Sequence, residues 1–133
     1  MNQEKEKIYV YLDGDRIGAN VELFLLDEDI TSAAQLQISV KKSMQSLQNQ
    51  ILNDSSLELL MFGCDELILV GYDFFIVKNL VNKLRKSFHI DTGFTMSAGF
   101  GKTLRESLEN LRRAKLLGRN RVIGIDQFEK KKS

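Results

Sequence analysis

The sequence has no proline, one cysteine, one histidine and almost no net charge. Each scarcity removes a class of protein. Without proline, its turns must be made by Gly, Asp and Asn. With Cys64 alone it forms no internal disulfide, and a reducing, cytoplasmic setting is expected. His89 by itself cannot build a His-rich zinc site. A net charge of +1 gives no general affinity for nucleic acid or for an anionic membrane surface. No apolar run is long enough to cross a bilayer, and MNQEKEKIYV at the start is charged, without the apolar region of a signal peptide. What remains is ordinary for a soluble globular protein: 133 residues, 43% hydrophobic and 28% charged, enough for one domain with a real core.

IYVYL at 8–12 alternates and predicts a strand, with Ile8, Val10 and Leu12 on one face and Tyr9, Tyr11 and Asp13 on the other. DGDRIGAN reads as a loop, followed by the short apolar piece VELFLL. A long helix is predicted from about Thr31 to Leu52 on the stripe Leu36, Val40, Met44, Leu47, Ile51. Two strands, 57–62 and 66–72, flank the tip GCDE. Asp73 caps a second helix with the stripe Phe74, Val77, Val81, Leu84, Phe88. FTMSAGF at 94–100 predicts a strand whose second face, Thr95, Ser97 and Gly99, is small. Thr103 and Glu106 form a capping box for a third helix that ends at Gly118, and RVIGI supplies a short last strand.

The first six elements run β-α-β-β-α-β, the ferredoxin-like (RRM-like) arrangement. The expected fold is therefore α+β: an antiparallel sheet with helices on one face and the active site on the open face or edge. A single domain is expected over 1–133, with its core at 8–125 and a tail at 126–133.

This topology makes the first strand and the central hairpin neighbours. Asp13 then lies close to Asp65, with Glu66 beside it. Like charges so placed repel unless a cation sits between them. A hard divalent ion takes carboxylate and carbonyl oxygens together with water and substrate phosphate. Taken singly, DGD and GCDE also read as plain polar turns. Among the basic residues of 102–121, Arg105, Arg112 and Arg113 suit a solvated helix face. Lys115 and Arg119, four apart across the helix end and flanking Gly118, suit phosphate. GFGKT at 99–103 is not a P-loop, because Met96 stands where that pattern requires glycine. Cys64 has no base to make it a nucleophile, so it is expected to line a pocket or serve structure. His89 is expected on the surface near a helix end.

GCDE resembles the GGDEF signature of diguanylate cyclases, and SAGFGKTLRESLENLRRAKLLGRNRV at 97–122 resembles the end of that family. LDGDRIG is closer to the palm domain of the CRISPR polymerase subunit. Both features in a short chain resemble the minimal CRISPR polymerase, mCpol, over residues 8–122. The resemblance implies a palm-type nucleotidyltransferase using Mg²⁺ or Mn²⁺. It implies that Asp13, Asp65 and Glu66 are catalytic and, with the Gly14 carbonyl, hold metal. It implies nucleotide contacts from Arg16, Ile17 and Gly18 through backbone amides, from Lys115 and Arg119 to phosphate, from Asn20 to base or sugar, and from Cys64, which replaces a signature glycine. The tip is GCDEL rather than GGDEF, and the guanine-reading residues have no clear counterpart, so ATP is favoured. The implied product is a cyclic dinucleotide of the cyclic di-AMP type, made by a homodimer in anti-phage defence and read by a separate receptor or effector. A mononucleotide cyclase, a catalytically silent nucleotide-binding palm and a plain ferredoxin-like interaction domain are the alternatives. No membrane association and no direct nucleic-acid binding are expected.

Overall fold

The computed structural model describes residues 6–129. The chain runs β1 (Ile8–Gly14), α1 (Ile17–Leu26), α2 (Ile30–Leu52), β2 (Leu57–Phe62), β3 (Glu66–Gly71), α3 (Phe74–Thr92), β4 (Met96–Gly101), α4 (Leu104–Leu116), β5 (Val122–Ile123) and α5 (Asp126–Glu129). The sheet order is β2-β3-β1-β4-β5. The first four strands pair antiparallel, as the ferredoxin-like reading requires. β5 departs from the all-antiparallel expectation: it joins β4 in parallel, through Ala98↔Val122 and Gly99↔Ile123.

Alternation decides the core. Ile8, Val10 and Leu12 of β1, Leu67 and Leu69 of β3, and Met96, Ala98 and Phe100 of β4 are buried against the stripes of α2 and α3. Those stripes are Leu36, Val40, Met44, Leu47 and Ile51, and Val77, Val81, Leu84 and Phe88, all buried. Both helices start at a carboxylate cap: Asp29 accepts from the Ser32 amide, and Asp73 accepts from the Phe75 and Ile76 amides.

The expectation of helices on one face holds for α2 and α3 but not for α4. That helix lies on the opposite face, over β4, which is buried along its whole length. The cause is the absence of side chains there. A Cβ on Gly99 would fall on the Leu111 amide nitrogen and the Ser107 carbonyl oxygen, and one on Gly101 would fall on the Ser107 amide nitrogen. The small face of β4 is a seat for a helix backbone. Thr103 caps α4 through the Glu106 amide, while the Glu106 carboxylate reaches back to the Lys102 amide rather than to Thr103 itself.

Two further elements differ from expectation. The second half of the expected loop, from Ile17, and the apolar piece VELFLL together form the helix α1. The segment read as a tail begins with α5, whose Phe128 is buried and stacks on Phe74 at 5.7 Å between centroids, with Phe100 adjacent. Residues 130–133 of that expected tail lie outside the described residues.

Candidate active site

β1 and β3 bring the acids together. Their register sets Asp13 opposite Glu66. The Gly14 amide donates to the Asp65 carbonyl at 2.8 Å, which closes the end of the ladder against the hairpin tip. The tip is held by the Gly63 amide donating to the Glu66 carbonyl at 2.8 Å. Gly14 is needed at this crossing: a Cβ there would meet Ile17, Phe88 and, at 3.3 Å, the Asp65 carboxylate. The Tyr11 hydroxyl donates to Glu66 Oε1 at 3.3 Å. Burial, then the Glu66 carboxylate, push the Tyr11 phenol above its usual range. Asp65 is pushed up to about 6 by its own burial and by Asp13 and Glu66, against the pull of Lys115.

Lys115 enters this centre from α4. Its Nζ lies 2.9 Å from Asp13 Oδ2 and 2.8 Å from Asp15 Oδ1, and it donates to the Gly14 carbonyl at 3.0 Å. Asp15 was legible only as the end of DGD, with no role assigned. It is buried, 4% exposed, and it organises the site. It accepts from Lys115, from Thr95 Oγ1 and Ser97 Oγ at 2.7 Å each, and from the Asn120 amide at 3.0 Å. Burial alone would raise its pKa. The hydrogen bonds from Lys115, Thr95 and Ser97 outweigh that and hold it below the usual carboxylate range. Ser97 on the small face of β4 and Thr95 just before it are thus two of the donors that seat Asp15.

A cavity of about 780 Å³ opens beside the acids, between α1, α2 and the β2–β3 hairpin. Ile17, Gly18, Cys64 and Asp65, four of the residues the resemblance implicates, line it. Gln37, Lys41 and Gln45 also line it and were missed. They recur every four residues on α2, beside the apolar stripe, so the signal was present as a polar row with no assigned partner. The exposed Cys64 is a pocket-lining residue.

The other expected residues fall as follows. Arg16 is exposed in a left-handed conformation, φ 61°, and makes the turn into α1. Asn20 does not line the cavity; its Nδ2 donates to the Arg16 carbonyl at 2.8 Å and braces that turn. Arg119, also left-handed at φ 66°, immediately precedes the Asn120 amide that holds Asp15. Its Nε is buried without a hydrogen-bond partner, and among the described residues it has no ion-pair partner. His89 is exposed in the last turn of α3, as expected.

Among the described residues, no group of three or more His, Cys, Asp or Glu side chains is arranged to hold a metal ion by itself. The oxygen donors present are the carboxylates of Asp13, Asp65 and Glu66 and the Gly14 carbonyl, of which Asp13 and Gly14 are engaged by Lys115. That is the mixed oxygen chemistry of a hard cation that completes its shell with water and substrate phosphate. Such a donor set can hold a divalent cation only together with water and substrate oxygens.

The fold is shared with solved structures. Csm1 from T. onnurineus matches with a TM-score of 0.69 at 21% identity, over 90% of this chain and 21% of that one. A Csm1–Csm4 cassette in complex with one ATP matches with a TM-score of 0.64 at 22% identity, over 88% of this chain and 20% of that one. The diguanylate cyclase SiaD from Pseudomonas aeruginosa, in complex with its activator SiaC, matches with a TM-score of 0.62 at 16% identity, over 90% of this chain and 50% of that one. The chain thus spans about a fifth of the Csm1 chains and half of the cyclase. No curated protein matches it. The model of the minimal CRISPR polymerase domain, mCpol, matches residues 9–125, nearly the whole chain and all of the site described above, and the chain belongs to that family.

Proposed function

We propose that the protein is a nucleotidyltransferase that makes a cyclic dinucleotide of the cyclic di-AMP type from ATP. The observation that carries this reading is the convergence of Asp13, Asp65, Glu66 and Lys115, with Asp65 also lining the large cavity. A ribose hydroxyl of one ATP attacks the α-phosphorus of another. The new P–O bond forms as the bond to pyrophosphate breaks, and a second attack closes the ring with loss of a second pyrophosphate. Asp13, Asp65, Glu66 and the Gly14 carbonyl would hold Mg²⁺ or Mn²⁺, which supplies activation of the attacking hydroxyl and charge neutralisation at phosphorus.

The remaining work falls to this chain's own groups. The cavity takes base and sugar, with Cys64 against the nucleotide. The free amides at the start of α1, at Ile17 and Gly18, face phosphate. Lys115 and Arg119 offer their charges to the triphosphate. ATP is favoured over GTP because related Csm1–Csm4 structures are described with ATP, cA3 and cA4. The cavity of about 780 Å³ suits one nucleotide, so two protomers facing each other complete the reaction as a homodimer. The CRISPR polymerase kinship supports a role in anti-phage defence, with the product read by a separate effector. Among the described residues no helix is long and apolar enough to cross a membrane. The exposed thiol of Cys64 fits a cytoplasmic setting.

The test is mass spectrometry of reactions with each of the four NTPs and Mg²⁺ or Mn²⁺, with Asp65→Ala alongside. A cyclic di-adenylate from the wild type alone is expected. A cyclic mononucleotide would assign the same residues to an intramolecular reaction. No product, with ATP still bound, would make the domain a nucleotide binder without chemistry.

A further inference from the structure

Asp15 has a second neighbourhood. On the side away from the large cavity lies a smaller one of about 330 Å³. Asn82, Arg85, Lys86 and His89 line it from α3, at helical spacing, with Thr95 and Asn120 opposite. No carboxylate lines it. Arg85 is partly buried. Its Nε donates to the Met96 carbonyl at 2.8 Å and one terminal nitrogen donates to Asn120 Oδ1 at 3.0 Å. These are neutral acceptors. Among the described residues neither Arg85 nor Lys86 has a carboxylate within ion-pair distance. Burial depresses the Arg85 pKa, which only Asp15 opposes at longer range. A guanidinium taken partly out of water with no carboxylate in direct contact keeps donor capacity that an anion can use. With Lys86 and His89 beside it, that capacity matches the donor demand of a phosphate-class anion.

We propose that this cavity is a binding site for a small phosphate-class oxyanion, inorganic pyrophosphate foremost, held by Arg85, Lys86 and His89 with the side-chain amides of Asn82 and Asn120. The choice of pyrophosphate rests on the proposed reaction, which releases it nearby; the anion site itself does not depend on that reading. The cavity also communicates with the active site. Asn120 takes Arg85 through its side chain and gives its backbone amide to Asp15, and Thr95 donates to the same carboxylate. Asp15 in turn holds Lys115. An oxyanion that draws Arg85 toward itself competes with Asn120 for the guanidinium and loosens one wall of the Asp15 seat. Pyrophosphate would therefore report back on the site that makes it, without occupying the nucleotide cavity.

The experiment is a two-dimensional ¹H–¹⁵N NMR titration of the whole chain with sodium pyrophosphate in EDTA, with inorganic phosphate and ATP as parallel arms. Pyrophosphate is expected to shift amides at 82–89, Thr95 and Asn120. The double variant Lys86→Ala/His89→Ala is expected to weaken binding at least tenfold. Both side chains are exposed, so this variant keeps the fold, and Lys86→Glu gives a second check by charge reversal. Shifts confined to 13–18 and 63–66, or no shifts, or binding unchanged in both variants, would overturn the proposal. Stronger binding of phosphate than of pyrophosphate would keep the site and reject the by-product as its ligand. Because the readout is binding, an absence of turnover would defeat the proposed reaction and leave this site standing.

Discussion

At the residue scale the site is a balance of like charges, and each member can be tested by removing its charge alone. Asp65 shares a small volume with Asp13 and Glu66, and its carboxylate gains only partial relief from Lys115. Asp65→Asn should abolish product formation and yet raise the thermal midpoint in EDTA by a few degrees at neutral pH. The side chain keeps its shape and the Gly14 amide keeps its carbonyl partner, and the repulsion and burial cost removed outweigh the lost attraction to Lys115. Asp15 behaves in the opposite sense. Its charge is satisfied by four donors, and Asp15→Asn replaces an acceptor-only group by one that presents two N–H donors to Lys115, Thr95, Ser97 or the Asn120 amide. A loss on the order of 2 kcal/mol in urea unfolding is expected, with a fall in kcat of at least tenfold as Lys115 loses its anchor. Asp13 and Asp65 were legible in the sequence because two acidic clusters on neighbouring strands demand a reason. Asp15 was not, because its meaning depends on Thr95 and Ser97, about eighty residues away at the start of β4, and nothing in DGD announces that its second acid turns inward.

At the element scale, alternation and apolar stripes reveal the four long strands, α2, α3 and α4. They reveal α1 poorly. IGANVELFLL is apolar on several sides, Leu23, Leu25 and Leu26 are exposed, and its start at Arg16 has no side-chain cap, so neither periodicity nor a cap marks it as a helix. The face occupied by α4 was also hidden. Small residues on one side of a strand signal equally well an open surface or a seat for another backbone, and only the position of α4 chooses between them. Gly99→Ala tests the choice. Its Cβ would strike helix backbone, which cannot rotate away as a side chain would. A cost of about 3 kcal/mol is expected, read in urea unfolding. A lowered kcat should accompany it in the folded fraction, since α4 carries Lys115. Were β4 merely facing solvent, alanine would be neutral.

At the scale of the whole molecule, the sheet's core is closed from two directions. α2 and α3 cover one face, and α5 returns to stack Phe128 on Phe74 beside Phe100. Phe128→Ala should therefore cost about 3 kcal/mol in urea unfolding, an effect that a solvated tail would not show. Four residues of helix carry no periodic signal, which is why this closure was not visible before the aromatic rings were seen together. The cavity and the acids lie at the other end of β1, so such a loss of stability should leave the ATP affinity of the folded protein unchanged.

The position of Cys64 has a practical corollary. It is the chain's single thiol, it is exposed, and it stands on the rim of the large cavity next to Asp65. An alkylating reagent therefore marks one place on the molecule, and that place is the doorway. Protection of the thiol by a nucleotide would time occupancy directly, and a fluorophore or spin label attached there would watch the doorway open and close, with no engineered cysteine and no background to subtract.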